Sequence, residues 1–286
     1  ISYSAAGFSA SAGTLLSYGQ AAFYCSTTVQ NVCIENCTVT WSSTDRRPPF
    51  VLFEMAKGQV NKNISIKNNI FIDTTPTTTI GALQAAVAFV AMNTGVSTDP
   101  ALLINCSISG NQCSHNQGIY VTTATLTDPG LNCVNVVIEK NNCGVIGVLP
   151  SAKPTTLLDV TQAYKTDGVL VTGNNCSIIG NFFGSGQYTI NRETAGTTTV
   201  EYGIGKLTIT DNNCHMIYLQ AFEDIASGEF GGLIIDGNFL TGVNSANISS
   251  YYAMNTVPSL LSSSNIAITV VGKSTSDPVS HIITNN

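Results

Sequence analysis

Charge is what this sequence has least of. Only 10% of its 286 residues are Asp, Glu, Lys or Arg, and the net charge is −6. Its eleven Lys and Arg are scattered, so there is no basic footprint to meet phosphates, and nucleic acid is not an expected partner. A long apolar run is missing too. The longest, IGALQAAVAFVAM at 80–92, is shorter than the roughly 20 residues a membrane helix needs and contains Gln84, so a core segment is expected and membrane insertion is not. The nine cysteines are odd in number and form no CxxC pair. They signal neither a complete disulfide framework nor zinc, and reduced, buried thiols are the expectation. No signal peptide is visible, and a start at Ile1 without Met is the start expected of a processed or trimmed polypeptide.

What is present is Thr, Ser, Asn and Gly around an apolar fraction of 43%, too high for a disordered chain. A polar, mostly uncharged surface of this kind suits proteins that work outside cells or handle sugars. The length fits two average domains or one large solenoid or barrel, so periodicity must decide.

A repeat decides it. With an aliphatic residue as anchor, the chain reads ISIKNNIF at Ile66, CSISGNQC at Ile108, VVIEKNNC at Ile138, VLVTGNNC at Val171, LTITDNNC at Ile209 and LIIDGNF at Ile235. The third residue after each anchor is Asn69, Asn111, Asn141, Asn174, Asn212 or Asn238. The gaps are 42, 30, 33, 38 and 26 residues, and outlying copies at Ile34 and Ile268 extend the series. Each copy alternates aliphatic and polar residues, as a half-buried strand does, and then turns at a Gly or Asp followed by Asn. Asn tolerates a left-handed backbone, so equivalent Asn residues at the same bend of successive coils can satisfy one another as an asparagine ladder. Cys113, Cys143, Cys176 and Cys214, two residues further on, are expected to stack inside the bend as a small apolar ladder. Their side chains run parallel, which argues against disulfides between them.

This pattern, over roughly residues 30–272, resembles the right-handed parallel β-helix of the pectin-lyase-like superfamily, which includes the trimeric tailspikes of bacteriophages. The resemblance implies an all-β, single-stranded solenoid of roughly eight coils. Residues 1–29 would form an N-terminal cap or linker, with GTLLSYGQAAFYC covering the first coil, and 273–286 a C-terminal tail or cap. It also implies that function sits on the loops projecting between coils. The catalytic signatures of its pectin-degrading members, Asn-Thr-Asp, Gly-His-Gly, Arg-Ile-Lys and Trp-Ile-Asp-His, are absent here.

Glycoside hydrolysis needs two carboxyl groups, about 5 Å or about 6.5–9.5 Å apart. Stacked coils offer both spacings, ~5 Å at one coil and ~10 Å at two. Seven of the seventeen acids crowd three consecutive loops: Asp159 and Asp167, Glu193 and Glu201, and Glu223, Asp224 and Glu229. Asp167, Glu201, Glu223 and Glu229 are the candidate catalytic acids, against the plainer reading of a solvated loop edge. Tyr164, Tyr188, Tyr202, Phe222 and Phe230 accompany them, with Tyr218, and are the candidate carbohydrate-binding residues. Flat rings with a polar handle suit sugars, and suit subunit interfaces equally well. Arg46 and Arg47, near Trp41, offer the fork geometry that grips an acidic sugar, or are an ordinary loop. His115 and His215 read as turn residues, and neither a metal nor a cofactor is expected. The sequons at Asn36, Asn63, Asn105, Asn175 and Asn247 mostly coincide with the repeat, which explains them better than glycosylation.

The leading expectation is a virion-associated, tailspike-like or fibre-like protein, at the virion surface or otherwise extracellular. As a homotrimer beside other virion proteins, it would bind host polysaccharide or glycan and cleave it if the acids are catalytic. The alternatives are a secreted polysaccharide lyase or glycoside hydrolase of the same fold, and a non-catalytic structural or capsid-decoration protein.

Overall fold

A computed structural model describes residues 21–41, 49–74, 84–92, 94–95, 97–114, 117–123, 130–148, 168–180, 206–220, 233–242, 268–271 and 281–286. Among these residues every regular element is a strand, and every strand pairing is parallel, an arrangement compatible with a parallel β-helix.

The repeat copies form one eight-stranded sheet. Its strands, in spatial order, are β2 (Gln30–Glu35), β5 (Val60–Lys67), β8 (Ala101–Ser109), β11 (Leu131–Glu139), β13 (Val169–Thr172), β15 (Leu207–Thr210), β18 (Leu233–Asp236) and β21 (His281–Thr284). Its register aligns Ile34, Ile66, Ile108, Ile138, Val171, Ile209, Ile235 and Ile283 in one column. Buried and half-exposed residues alternate along β13, β15 and β18, as the period-2 pattern requires of a strand with one wet face.

A second eight-stranded sheet runs β1 (Phe23–Cys25), β4 (Val51–Met55), β7 (Gln84–Ala91), β10 (Gln117–Thr123), β12 (Val145–Val148), β14 (Ile178–Gly180), β17 (Met216–Gln220) and β20 (Ile268–Val271). From β4 to β17 the residues of both faces are buried wherever their burial is described. All five residues of β4 and all four of β12 are buried, so these strands show no alternation, and in β4 the apolar run is interrupted only by Glu54. The run at 80–92, expected to be a core segment, supplies β7, and the last residues of GTLLSYGQAAFYC supply β1, which pairs with β4.

The bend after each anchor carries the third set: β3 (Thr38–Trp41), β6 (Ile70–Asp73) and β9 (Gln112–Cys113), then single bridges Gln112 to Asn142, Asn142 to Asn175 and Asn175 to Asn213, then β16 (Asn213–Cys214) and β19 (Phe239–Leu240). The chain thus visits three sheets in a fixed order, and the core is one continuous column of aliphatic and aromatic residues between them.

Two expectations need correction. The copy at Ile268 does not continue the anchor column: Ile268 pairs with Ile217 in the doubly buried sheet, and the residue aligned with Ile235 is Ile283. The reason lies in the bend. Three residues after Ile268 stands Val271, whereas three after Ile283 stands Asn286, which can join the asparagines. The second correction concerns backbone. The left-handed residue is the one before each row asparagine: Asn36, Asn68, Gly110, Lys140, Gly173, Asp211, Gly237 and Asn285, with φ of 53–65°. At Gly110 a Cβ would lie 2.5 Å from Asn68 Oδ1, so a larger residue there would have to displace the Asn68 side chain.

Candidate functional site

The bend that follows each anchor holds the most ordered polar chemistry of the protein. Asn69, Asn111, Asn141, Asn174, Asn212 and Asn238 are at most 3% exposed. Each donates its Nδ2 to Oδ1 of the next, at 2.9–3.0 Å, and the series closes on Asn286. The same Oδ1 atoms accept the preceding asparagine's backbone N–H at 2.9–3.1 Å. The remaining Nδ2 hydrogen reaches the carbonyl of the anchor one coil back, from Ile34 to Ile209, at 2.9–3.0 Å. Every polar atom of these buried amides is therefore engaged, which is the condition for burying them without a large desolvation cost.

The residue types follow from this geometry. Only a short primary amide both accepts two hydrogen bonds on one oxygen and donates two from its nitrogen at this depth. After β2 the equivalent position is Cys37, whose backbone N–H donates to Asn69 Oδ1 at 3.0 Å.

Cys143, Cys176 and Cys214 are buried two residues beyond the row, with Cys113 partly so, and all nine cysteines are free thiols. Phe71 pairs with Cys113 and Leu240 with Cys214, so the thiols occupy an apolar column. Burial pushes the Cys143 thiol up to about 12 and raises Cys113 as well. For Cys176 a hydrogen bond from the Cys214 side and burial act together in the same direction. The thiolate forms of Cys113, Cys143 and Cys176 are disfavoured, as is usual for buried thiols that serve packing.

Two further amide rows were not foreseen. Asn31, Asn63, Asn105 and Asn135 are exposed, left-handed (φ 52–60°) and linked amide to amide at 2.9–3.2 Å. The signal was present in the sequence, since each stands three residues before an anchor. The row stops where Gly168 takes the next position, at which a Cβ would lie 2.1 Å from the Lys206 carbonyl oxygen. Gln112, Asn142, Asn175 and Asn213, the second residue of each Asn pair, form the other exposed row at 3.2–3.3 Å. Asn63, Asn105 and Asn175 of the sequons thus belong to rows of hydrogen-bonded amides.

One carboxyl group stands apart. Glu54, on β4, is 7% exposed and accepts a 2.6 Å hydrogen bond from the Tyr24 hydroxyl on Oε2. Among the described residues its Oε1 has no hydrogen-bond partner. Burial raises its pKa, opposed in part by the Tyr24 bond. It lies on the outer face of the doubly buried sheet, aligned with Val90; Leu52, on the same face, leads a column through Ala88, Tyr120, Gly147, Gly180 and Tyr218. Sequence reasoning passed over Glu54 because β4 lacks the alternation by which strands were found.

A raised carboxyl pKa has a definite sign in stability. The favourable contribution of neutral Glu54 is fully present below its unfolded pKa and is lost as pH rises through the higher folded value. Glu54→Gln, which cannot ionise, is expected to flatten that loss: the melting temperature of the native protein relative to the variant should fall as pH rises above the ordinary glutamate value of about 4.3. Parallel melting curves across that range would show that Glu54 is not desolvated.

The candidate catalytic acids Asp167, Glu201, Glu223 and Glu229 lie outside the described residues, as do Tyr164, Tyr188, Tyr202, Phe222 and Phe230, Arg46, Arg47 and His115. Tyr218 is 2% exposed on β17, and His215 pairs through Nδ1 with the Thr241 hydroxyl. Among the described residues no group of three His, Cys, Asp or Glu side chains converges to hold a metal ion, and no helix is long and apolar enough to cross a membrane. No family model matches the chain, and no curated protein or solved structure does so either.

Proposed function

We propose that the chain is a right-handed parallel β-helix of roughly eight coils carrying an asparagine ladder, and that it is a tailspike-like or fibre-like virion protein that binds host-surface glycan as a homotrimer. The observation that carries this reading is the unbroken amide row from Asn69 to Asn286, which fits a rod built by repetition rather than around one pocket. Handedness follows from the general behaviour of parallel strands joined by crossovers, about 98% of which are right-handed. A surface with 10% charged residues suits neutral sugars, and the acids and aromatics of residues 164–230 supply the carboxylates and flat rings such ligands need.

A second reading, a polysaccharide lyase or hydrolase of the same fold, is favoured by Glu54. A buried carboxyl whose pKa is raised by desolvation is the kind of group a general acid requires.

Native mass by light scattering, with and without mild detergent, tests the first reading. A mass near three times 30.0 kDa that survives detergent is expected, followed by retention on immobilised glycans. The mass of a single chain would remove the spike reading and leave polysaccharide cleavage, assayed with Glu54→Gln and Glu201→Gln, as the next measurement.

A further inference from the structure

Among the described residues three rows of amides run along the stack, and two of them have a reason within the fold. The buried row serves the backbone, taking main-chain N–H groups on Oδ1 of Asn111, Asn141, Asn174 and Asn212. Asn31, Asn63, Asn105 and Asn135 stand at positive φ, which Asn tolerates better than most residues. The third row, Gln112, Asn142, Asn175 and Asn213, has neither reason. All four are exposed and none is left-handed. Their main-chain N–H groups already donate to the carbonyls of Asn69, Asn111, Asn141 and Asn174 at 2.8–2.9 Å, and the carbonyls of Asn142, Asn175 and Asn213 accept from Cys113, Cys143 and Cys176 at 2.8–3.1 Å.

The side chains of this row bond only to one another. Asn142 Nδ2 donates to Gln112 Oε1 at 3.3 Å, and Asn175 and Asn213 donate to the Oδ1 before them at 3.2 Å. A primary amide has two N–H groups and an oxygen that accepts twice, so each member keeps at least one N–H and one acceptor site toward water. Backbone bridges hold the four in register, so the amides repeat every ~4.8 Å over about 14 Å. Ile70 precedes the row and Phe239 follows it, and each of the four coils has a described neighbour on either side. Gly110, Gly144 and Gly173, two residues from these amides, bring no side chain beside them.

We propose that Gln112, Asn142, Asn175 and Asn213 form a binding strip for a linear, uncharged, β-1,4-linked glycan laid parallel to the stack, one sugar ring to each coil. This rests on the glycan-binding reading above and gives it a place and a ligand class. A pyranose hydroxyl both donates and accepts, and each amide offers it both roles. Extended β-1,4-linked chains repeat their rings at nearly the coil spacing, so successive rings meet successive amides in one register. An α-1,4-linked chain curves and loses that register within a few rings. Charge selects in the same sense: Lys140 and Asp211, two residues before Asn142 and Asn213, are of opposite sign, so nothing draws a polyanion to the strip. The amides are aligned by their neighbours before a ligand arrives, which lowers the ordering cost of binding.

The test titrates the full chain with cellohexaose, a β-1,4-linked glucose hexamer, in a calorimeter. Saturable binding is expected, about tenfold or more tighter than that of cellobiose or of α-linked maltohexaose, because short and curved ligands reach fewer amides. Asn142→Ala combined with Asn175→Ala removes the two central contacts and should weaken cellohexaose about tenfold or more, with circular dichroism unchanged. No saturable binding up to about 10 mM, equal binding of maltohexaose, or unchanged affinity of the double variant would overturn the strip. The comparison of ligands is made on the unmodified protein and stands whether or not the variant folds. Retention of the native protein on immobilised host-surface glycans is measured beside it. Retention without cellohexaose binding removes the strip and keeps the glycan reading, whereas binding in neither assay removes both.

Discussion

Asn141→Ala should cost about 3–6 kcal/mol of folding stability, the largest effect of any exchange of one polar side chain here. Asn141 Oδ1 accepts from Asn111 N at 3.0 Å and Asn111 Nδ2 at 2.9 Å, while its Nδ2 donates to Ile108 O at 2.9 Å and Asn174 Oδ1 at 3.0 Å. Truncation leaves a buried backbone N–H, one amide hydrogen and one carbonyl without partners, and each such group costs about 1–3 kcal/mol. No water-filled route compensates, because the row sits against the aliphatic column of the anchors. Asn141→Asp separates the accepting from the donating role. The carboxylate can still receive from Asn111, but an ionised oxygen would then face Ile108 O and Asn174 Oδ1. Burial and those oxygens raise the folded pKa of the introduced acid, so its stability is greatest below an unfolded pKa of about 3.9 and is lost as pH rises through the folded value. Urea unfolding followed by circular dichroism, run at two pH values on both variants, measures this directly. If Asn141→Ala lost less than about 1 kcal/mol, the row would be ornamental rather than structural.

Phe89→Ala carries the second large effect, about 3–5 kcal/mol. Phe89 is 0% exposed, and its ring stacks on Phe53 one coil away with centroids 4.5 Å apart and planes 5° from parallel. The loss combines the transfer of a buried ring with a cavity that rigid strands on either side cannot collapse to fill. The ring pair itself accounts for a smaller part, about 0.5–1.5 kcal/mol, to be isolated by a double-mutant cycle of Phe53→Leu and Phe89→Leu. Additive single losses in that cycle would mean that the two rings contribute by burial alone.

The two variants probe opposite sides of the core, and those sides were not equally legible. The anchor sheet could be read from residue order because one of its faces is wet: polar residues such as Ser65, Ser107 and Thr208 must alternate with Ile64, Cys106 and Leu207. The asparagines could be read because nothing else fits a buried bend that must both give and accept. The doubly buried sheet could not be read in this way. Val51 to Met55 is inaccessible throughout, so it has no period, and Glu54 is hidden among its neighbours as an apparent interruption.

Register shows the same division. Ile268 and Ile283 both lie in short aliphatic strands, but only Ile283 has an asparagine three residues later. Pairing decides, because Ile268 meets Ile217 while Ile283 meets Ile235 and brings Asn286 onto Asn238. The left-handed position was misplaced by one residue for a related reason. Asn is tolerant of positive φ, so an Asn-Asn pair does not say which member turns; the hydrogen-bond demand of the buried member forces the turn onto the residue before it, even where that is Lys140 at φ 54°.

The sequence by itself determined the strand class, the coil-to-coil recurrence of Asn and Cys and the chemical type of each bend, because these depend on local periodicity and on which side chains tolerate burial. Only the tertiary structure decided which strands pair, that the strands of a second sheet are buried on both faces, and that Glu54 is buried beside Tyr24. Those properties arise from neighbours 26 to 48 residues away in the chain, such as Asn238 above Asn212 and Asn286 above Asn238. Burial and pairing are sums over such distant contacts, and no short window of residues contains them.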